Sequence, residues 1–253
     1  MKIIIGGAMG RMGKELADAV ASAGVDVACG VDVAYRGQPC GFPVVAQYGQ
    51  ITAEADVLID FSRADALPGL LAYALDARMP LVLCATGYTE AERAQIARAA
   101  EKLPILQSVN MSLGVNLLRQ LCATAARALG EGYDVEIVEK HHRRKLDSPS
   151  GTALMLYEAV SREKNGEAEP VYGRHGRAAQ RGPKEIGIHA VRGGTVAGEH
   201  EVGFYGNGEQ ILITHRAENR TIFAEGALRA ARFLAGRPAG QYTMQDVIAD
   251  MLG

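Results

Sequence analysis

Residues 2–13 read KIIIGGAMGRMG, and this stretch decides the fold. Three consecutive isoleucines form an apolar, β-branched run of the kind that is buried on both faces of a parallel sheet. Glycines follow at positions 6, 7, 10 and 13, and Met12, Leu16 and Val20 then recur at helical spacing as far as Gly24. Strand, glycine-rich turn and helix in this order let the backbone bend sharply and approach a pyrophosphate, whose charge sits at the outward-pointing N–H groups of the helix start. Gly7, Ala8, Met9, Gly10, Arg11 and Met12 are therefore the candidate phosphate loop. A plain strand-to-helix turn would have the same look. Asp32 tips the balance, because it closes the next strand where an acidic side chain can accept hydrogen bonds from adenosine ribose hydroxyls.

Working outward, residues 25–32, 55–61, 80–85 and 105–108 read as further strands, with helices over 64–78 and 89–102. Thr89 and Glu92 have the spacing of a capping box. Apolar strands alternating with helices predict a parallel sheet covered on both faces, with ligands beyond the carboxyl ends of its strands. Those ends carry Phe61, Ala85, Thr86, Val109, Asn110 and Met111. Phe61 and Met111 offer apolar walls for a nicotinamide ring, and Thr86 and Asn110 offer polar partners for its carboxamide. Each residue alone could equally pack locally; their shared edge is the signal.

The character of the chain changes after a helix predicted over 112–129. A strand at 134–139, a charged loop, a helix over 150–164 and a glycine-rich, charged, mobile stretch to about residue 184 follow. Residues 186–192, 196–205 and 210–216 read as a meander turning at Gly193-Gly194 and Gly206-Asn207-Gly208, which suggests a second domain on a more open sheet. Helices close the chain over 221–235 and 241–252.

Composition excludes several classes. The 253 residues carry 27 Lys+Arg against 29 Asp+Glu, a formal charge of −2, so no basic excess draws the protein to nucleic acid or an anionic membrane. With 48% hydrophobic and 22% charged residues it is a globular protein and not a disordered one. Cys29, Cys40, Cys84 and Cys122 match neither a metal knuckle nor a disulfide framework, so free thiols and no metal are expected. No apolar run approaches the ~18 residues of a membrane span, and the first residues do not make a signal-peptide core. A cytoplasmic protein without a membrane or nucleic-acid partner is expected.

Residues 139–152, EKHHRRKLDSPSGT, form the other informative segment. A solvated charge run could explain the cations, yet adjacent His141 and His142 are unusual in one, and the run leads straight into Ser150-Gly151-Thr152. Those three read as a helix start whose N–H groups and hydroxyls can bind a carboxylate. A small dicarboxylate fits this layout, one carboxylate at the helix start and the other facing the cations. A metal site on the two histidines lacks further ligands at a recognisable spacing.

The GxxGRMG start, VLIDFS, ATG, the EKHHRRKLDSPSGTAL block, HAVRGGTVAGEHEV and ITHRAENRTIFAEGALRAARFL together resemble the 4-hydroxy-tetrahydrodipicolinate (dihydrodipicolinate) reductase family of the diaminopimelate route to lysine. The resemblance spans nearly the whole chain. It implies a Rossmann-like α/β dinucleotide-binding domain of residues 1–112 and 221–253. A smaller α+β domain of residues 113–220, with an open mixed sheet, would bind substrate and build a homotetramer. It also implies that His141 is the main acid/base residue, that Lys145 donates the proton, and that His142, Lys145, Ser150, Gly151 and Thr152 bind the dicarboxylate. The residue 7–12 loop, Asp32, Cys84, Ala85, Thr86, Ser108, Val109, Asn110 and Met111 would hold the cofactor. This sequence has Cys84-Ala85 where many relatives have Gly-Thr, Arg144 where a histidine is common, and Met111 where an aromatic is frequent.

The expected activity is hydride transfer from NAD(P)H to a cyclic unsaturated dicarboxylate. Asp32, followed by Val33 and Ala34 and not by a cation, favours NADH over NADPH, with Arg11 and Arg36 as the groups that could offset the preference. The rivals are another dehydrogenase of small amino or keto acids, and a redox-sensing dinucleotide-binding protein; the His/Lys block disfavours the first and the absence of a basic recognition helix the second.

Overall fold

The structure is a computed structural model describing residues 1–177 and 179–253. It divides into two compact units, Met1–Leu113 with Arg220–Gly253, and Gly114–Asn219. In chain order, the first stretch holds β1 (Lys2–Gly6), α1 (Arg11–Ser22), β2 (Asp26–Val31), β3 (Val44–Val45), β4 (Val57–Asp60), α2 (Leu67–Ala77), β5 (Leu81–Leu83), α3 (Glu90–Ala100) and β6 (Pro104–Gln107). Then come α4 (Leu113–Leu129), β7 (Asp134–His141), α5 (Gly151–Glu163), β8 (Glu169–Val171), β9 (Glu185–Arg192), β10 (Gly198–Tyr205) and β11 (Gln210–Ala217). The chain ends with α6 (Thr221–Leu234), β12 (Gly240–Tyr242) and α7 (Met244–Leu252). Among the described residues, no helix is long and apolar enough to cross a membrane.

The first unit is built on a seven-stranded parallel sheet in the order β12-β6-β5-β4-β1-β2-β3. β1 shows why its isoleucines are needed. Successive side chains of a strand point to opposite faces, so Ile4 enters one core with Leu58, Leu70 and Ile96, while Ile3 and Ile5 enter the other with Leu16, Ile59 and Leu234. All three are fully buried, and burying each such side chain contributes roughly 1.5–3 kcal/mol. The capping box closes as expected, with Thr89 Oγ1 accepting from Glu92 N–H and Glu92 accepting from Thr89 N–H. α6 covers the same face as α1; at Gly226 a Cβ would stand 1.8 Å from the Met111 carbonyl oxygen, so only glycine permits that approach.

The second unit carries a five-stranded mixed sheet in the order β11-β10-β7-β9-β8. β7, β9 and β8 run parallel, and β10 and β11 are antiparallel additions. One face packs Val135, Ile137, Ile188, Val202 and Phe204 against Leu118 and Cys122 of α4 and Leu156 and Val160 of α5. The other face presents Lys140, Val191, Glu199 and Leu212, by the alternation of the paired strands.

Three expectations need correction. Residues 186–216 are not one meander, because β7 lies between β9 and β10; only β10 and β11 form the expected hairpin. The Gly193–Val196 connection arches over the end of β7, with Gly193 N–H donating to His141 O and His142 N–H to Val196 O. The strand expected to stop at Glu139 continues to His141, and the stretch expected to be mobile contains β8. The short edge strands β3, β8 and β12 have too few residues for a period to show, and their pairing partners decide them.

Candidate functional site

In the first unit, Gly7 sits at φ +72°, a left-handed conformation that glycine adopts without strain. Gly7 and Ala8 N–H both donate to Val31 O, at 2.8 and 3.2 Å, and Met9 N–H donates to Asp32 Oδ2 at 2.9 Å. The first half of the loop is thus tied to the end of β2. Gly10 precedes α1 with no side-chain cap, leaving the N–H groups of the first helical turn, at Arg11, Met12 and Gly13, as the natural cradle for a phosphate. At Gly13 a Cβ would stand 2.3 Å from Gly7 O, so glycine is what allows the helix start to close on the loop. This β1–α1 turn lies where β1, between β4 and β2, marks the reversal of strand order, the position at which open α/β sheets bind ligands.

Asp32 Oδ1 also accepts Ala34 N–H at 2.8 Å, which fixes the carboxylate at the loop. The Arg36 guanidinium is folded back onto the Val33 and Tyr35 carbonyls, both at 2.7 Å. The other strand ends carry half-buried Phe61, Cys84, Ser108 and Asn110, buried Ala85, and exposed Thr86 and Val109. Ser108 Oγ donates to Asn110 O at 2.7 Å, closing that loop into a tight turn. Met111 departs from its expected placing as an open wall: it is 3% exposed and packs in the core, whereas Phe61 keeps surface to offer a ring. Behind Phe61, the sequence reading missed buried Asp60, which accepts from Tyr48 Oη at 2.8 Å and Ser62 N–H at 3.3 Å. Burial raises the Asp60 carboxyl above its ordinary range, against these hydrogen bonds. Burial, and secondarily Asp60, pushes the Cys84 thiol well up, so it stays a thiol.

In the second unit, the candidate residues lie in the loop after β7 and at the start of α5. His141 ends β7, His142 and Lys145 are half-buried in the loop, and Ser150, Gly151 and Thr152 open α5. Ser150 caps the helix, its Oγ accepting Ala153 N–H at 3.1 Å. Lys145 Nζ lies 2.8 Å from Asp147 Oδ1. The residues expected here all lie between the end of β7 and the first turn of α5.

What local reading missed is the layer beneath it. Glu139, two residues before His141 and therefore on the same face of β7, is fully buried. Its Oε2 lies 2.7 Å from His141 Nδ1 and accepts an N–H of Arg192 at 2.7 Å; its Oε1 accepts a second Arg192 N–H at 2.7 Å and Ser150 N–H at 3.0 Å. Burial works against the Glu139 charge, but the Arg192 fork and His141 hold its carboxyl below the ordinary range. Burial also wins at His141, which titrates below a free imidazole in spite of Glu139. His200 of β10 stands 2.8 Å from Ser150 Oγ and edge-on to the His141 ring at 5.1 Å, and burial brings it down to about 4. Arg192 before Gly193-Gly194 and the histidine in GEH were visible signals, but nothing local links them to Glu139. The strand order makes that link: the parallel β7–β9 register sets His141 opposite Arg192, and the antiparallel β10 register sets His200 opposite Glu139.

Comparison with known proteins shows the family and the fold. Residues 1–111 match the family described as Dihydrodipicolinate reductase, N-terminus, and residues 114–248 that described as Dihydrodipicolinate reductase, C-terminus. A 4-hydroxy-tetrahydrodipicolinate reductase of Caldanaerobacter subterraneus subsp. tengcongensis is 46% identical over 249 residues, which cover 98% of each chain. Its counterpart in Burkholderia thailandensis is 44% identical over 262 residues, again covering 98% of each. Among solved structures, a dipicolinate-bound dihydrodipicolinate reductase from Paenisporosarcina sp. TG-14 shares the fold, with a TM-score of 0.80 over 96% of this chain and 97% of that one at 22% identity. Since both halves of a single family are matched in order along nearly the full length, this chain belongs to the dihydrodipicolinate reductase family.

Proposed function

We infer that the protein reduces 4-hydroxy-tetrahydrodipicolinate, by way of dihydrodipicolinate, to tetrahydrodipicolinate in the diaminopimelate route to lysine. The observation that carries this reading, beside family membership, is the cationic His141–Lys145 loop running directly into an α5 start capped by buried Ser150. A bound nicotinamide dinucleotide supplies the hydride. The first-turn N–H groups of α1 hold its pyrophosphate, Asp32 accepts from its ribose hydroxyls, and Phe61 and the turns at 84–86 and 108–111 flank the nicotinamide.

On the substrate side, the N–H groups of Gly151 and Thr152 and the Thr152 hydroxyl face one carboxylate of the ring, with Ser150 fixing the helix start. His142 and Lys145 neutralise the other. Lys145 gives the proton that balances the hydride, so the ring double bond gains one hydrogen from each source, and His141 acts as the acid/base that exchanges the proton at the site. Positioned charge of this kind, and not covalent chemistry, is what the residues contribute. The second unit's open sheet face builds a homotetramer, and the enzyme works in the cytoplasm.

NADH is the preferred cofactor. The Asp32 carboxylate repels the roughly two negative charges of a 2′-phosphate, and Arg36, held on backbone carbonyls, is turned to other partners. The test is loss of reduced-nicotinamide absorbance with the condensation product of pyruvate and aspartate semialdehyde, run with each cofactor at one ionic strength. Turnover with a higher kcat/KM for NADH is expected. No turnover with either cofactor would remove the activity, and a clear NADPH preference would overturn the cofactor assignment.

A further inference from the structure

A carboxylate offers about four acceptor positions, and at Glu139 all four are taken: two by the Arg192 fork, one by Ser150 N–H and one by His141 Nδ1. Arg192 has donors only and is always charged. Glu139 could therefore take up a proton only by expelling one of its donors, and it stays an anion. An anion that only accepts requires its 2.7 Å partner to be the donor, so the His141 proton belongs on Nδ1. The ring's other nitrogen, Nε2, is turned toward Gly198, where a Cβ would stand 3.1 Å from it; glycine keeps that edge clear.

We propose that Glu139, clamped by Arg192, is a positioning residue that fixes the His141 tautomer and makes Nε2 its one proton-exchanging atom, while its bond to Ser150 N–H keeps the α5 start in register with that ring. The same carboxylate thus holds the acid/base group and the carboxylate cradle together. The groups facing His141 from every element around it are Glu139 on β7, Arg192 on β9, His200 on β10, and Lys145 and Asp147 in the loop. Among them, Glu139 is the one acceptor at Nδ1. A buried ion pair serving only to fasten β7 to β9 would account for Arg192 and Glu139, but it would not need the His141 and Ser150 contacts.

This inference rests on His141 being the acid/base of the proposed reaction, and the experiment separates the two. In protein selectively labelled with 15N-histidine, the His141 signal is assigned by its loss in His141→Gln, and its tautomer is read above its titration. The wild type should show Nδ1–H with an unprotonated Nε2. In Glu139→Gln, where the amide can turn an NH2 toward Nδ1, the Nε2–H form should appear. The same variant should lose about 10²-fold in kcat, the scale of acid/base assistance, with KM nearly unchanged. Its His141 pH limb should shift to lower pH, because the anion that favours imidazolium is gone. Glu139→Asp, which keeps the charge, should recover part of the kcat. A wild-type spectrum in the Nε2–H form overturns the proposal even if Glu139→Gln does not fold. So does a Glu139→Gln enzyme that melts earlier but keeps its tautomer and kcat. A His141→Ala enzyme with near-normal kcat, beside an Nδ1–H wild-type spectrum, would sink the acid/base reading and the catalytic part of this proposal, leaving only the tautomer assignment.

Discussion

Lys145, Glu139 and His141 in the second unit's site each have a charged or ionisable neighbour within 2.8 Å. Lys145 is largely shielded and lies 2.8 Å from Asp147, which orients its ammonium at the loop. If it donates the proton, Lys145→Ala should lower kcat about 10²-fold or more while dinucleotide affinity, measured by fluorescence titration, hardly changes. A proportional loss of dinucleotide binding would instead mark the lysine as part of a structural charge cluster. His200 gives a prediction about stability. Its folded-state value of about 4 lies below the ordinary 6.5, so the unfolded chain binds the proton more readily. The contribution is full above pH 6.5 and is lost progressively as pH falls to about 4, reaching roughly 3 kcal/mol. Urea titrations from pH 7 to 4 should therefore show a steeper decline for the wild type than for His200→Gln. His141, Glu139, His215 and Lys145 all act on His200, and parallel curves for the two proteins would contradict the assignment.

At the level of the element, the β1–α1 turn works because glycine lets a helix start press on a loop. Gly13 is the sharpest instance, with its missing Cβ 2.3 Å from Gly7 O and 2.7 Å from Ala8 Cα. Both neighbours are backbone and cannot rotate away. Gly13→Ala should cost about 1–3 kcal/mol through forced displacement and weaken NADH binding, because the first turn of α1 moves off the phosphate position. Melting with and without NADH measures both effects, and unchanged NADH affinity would argue against α1 as the phosphate cradle. This element was legible in the sequence: its strand period, glycine spacing and terminal acid are all local. Glu139 and Arg192 were not, although both stand in quoted motifs, since their meeting depends on β9 pairing parallel to β7 across about fifty residues of chain.

For the whole molecule, the second unit's sheet leaves one face without a covering helix of its own unit among the described residues. That face mixes the Lys140–Glu199–Arg216 ion pairs with Val191 and Leu212, each 47% exposed. Apolar side chains among paired charges suit a subunit interface better than open water. If this face builds the tetramer, Leu212→Glu should shift the mass seen by light scattering to smaller species, with the NADH affinity of each chain retained. A variant that stays fully assembled would place the interface elsewhere.

The sequence by itself determined the Rossmann-like sheet, the glycine turn between β1 and α1, the acid that follows β2 and the family, because apolar period, glycine spacing and contiguous motifs are properties of neighbouring residues. It also placed the cationic loop at a helix start. Tertiary structure alone decided that β7 separates β9 from β10, that Met111 is core and not wall, and that His141 bonds a Glu139 clamped by Arg192 and meets the His200 ring edge-on. Strand order is set by which faces bury together and how loops close over long separations, and those energies are not written in any local run of residues.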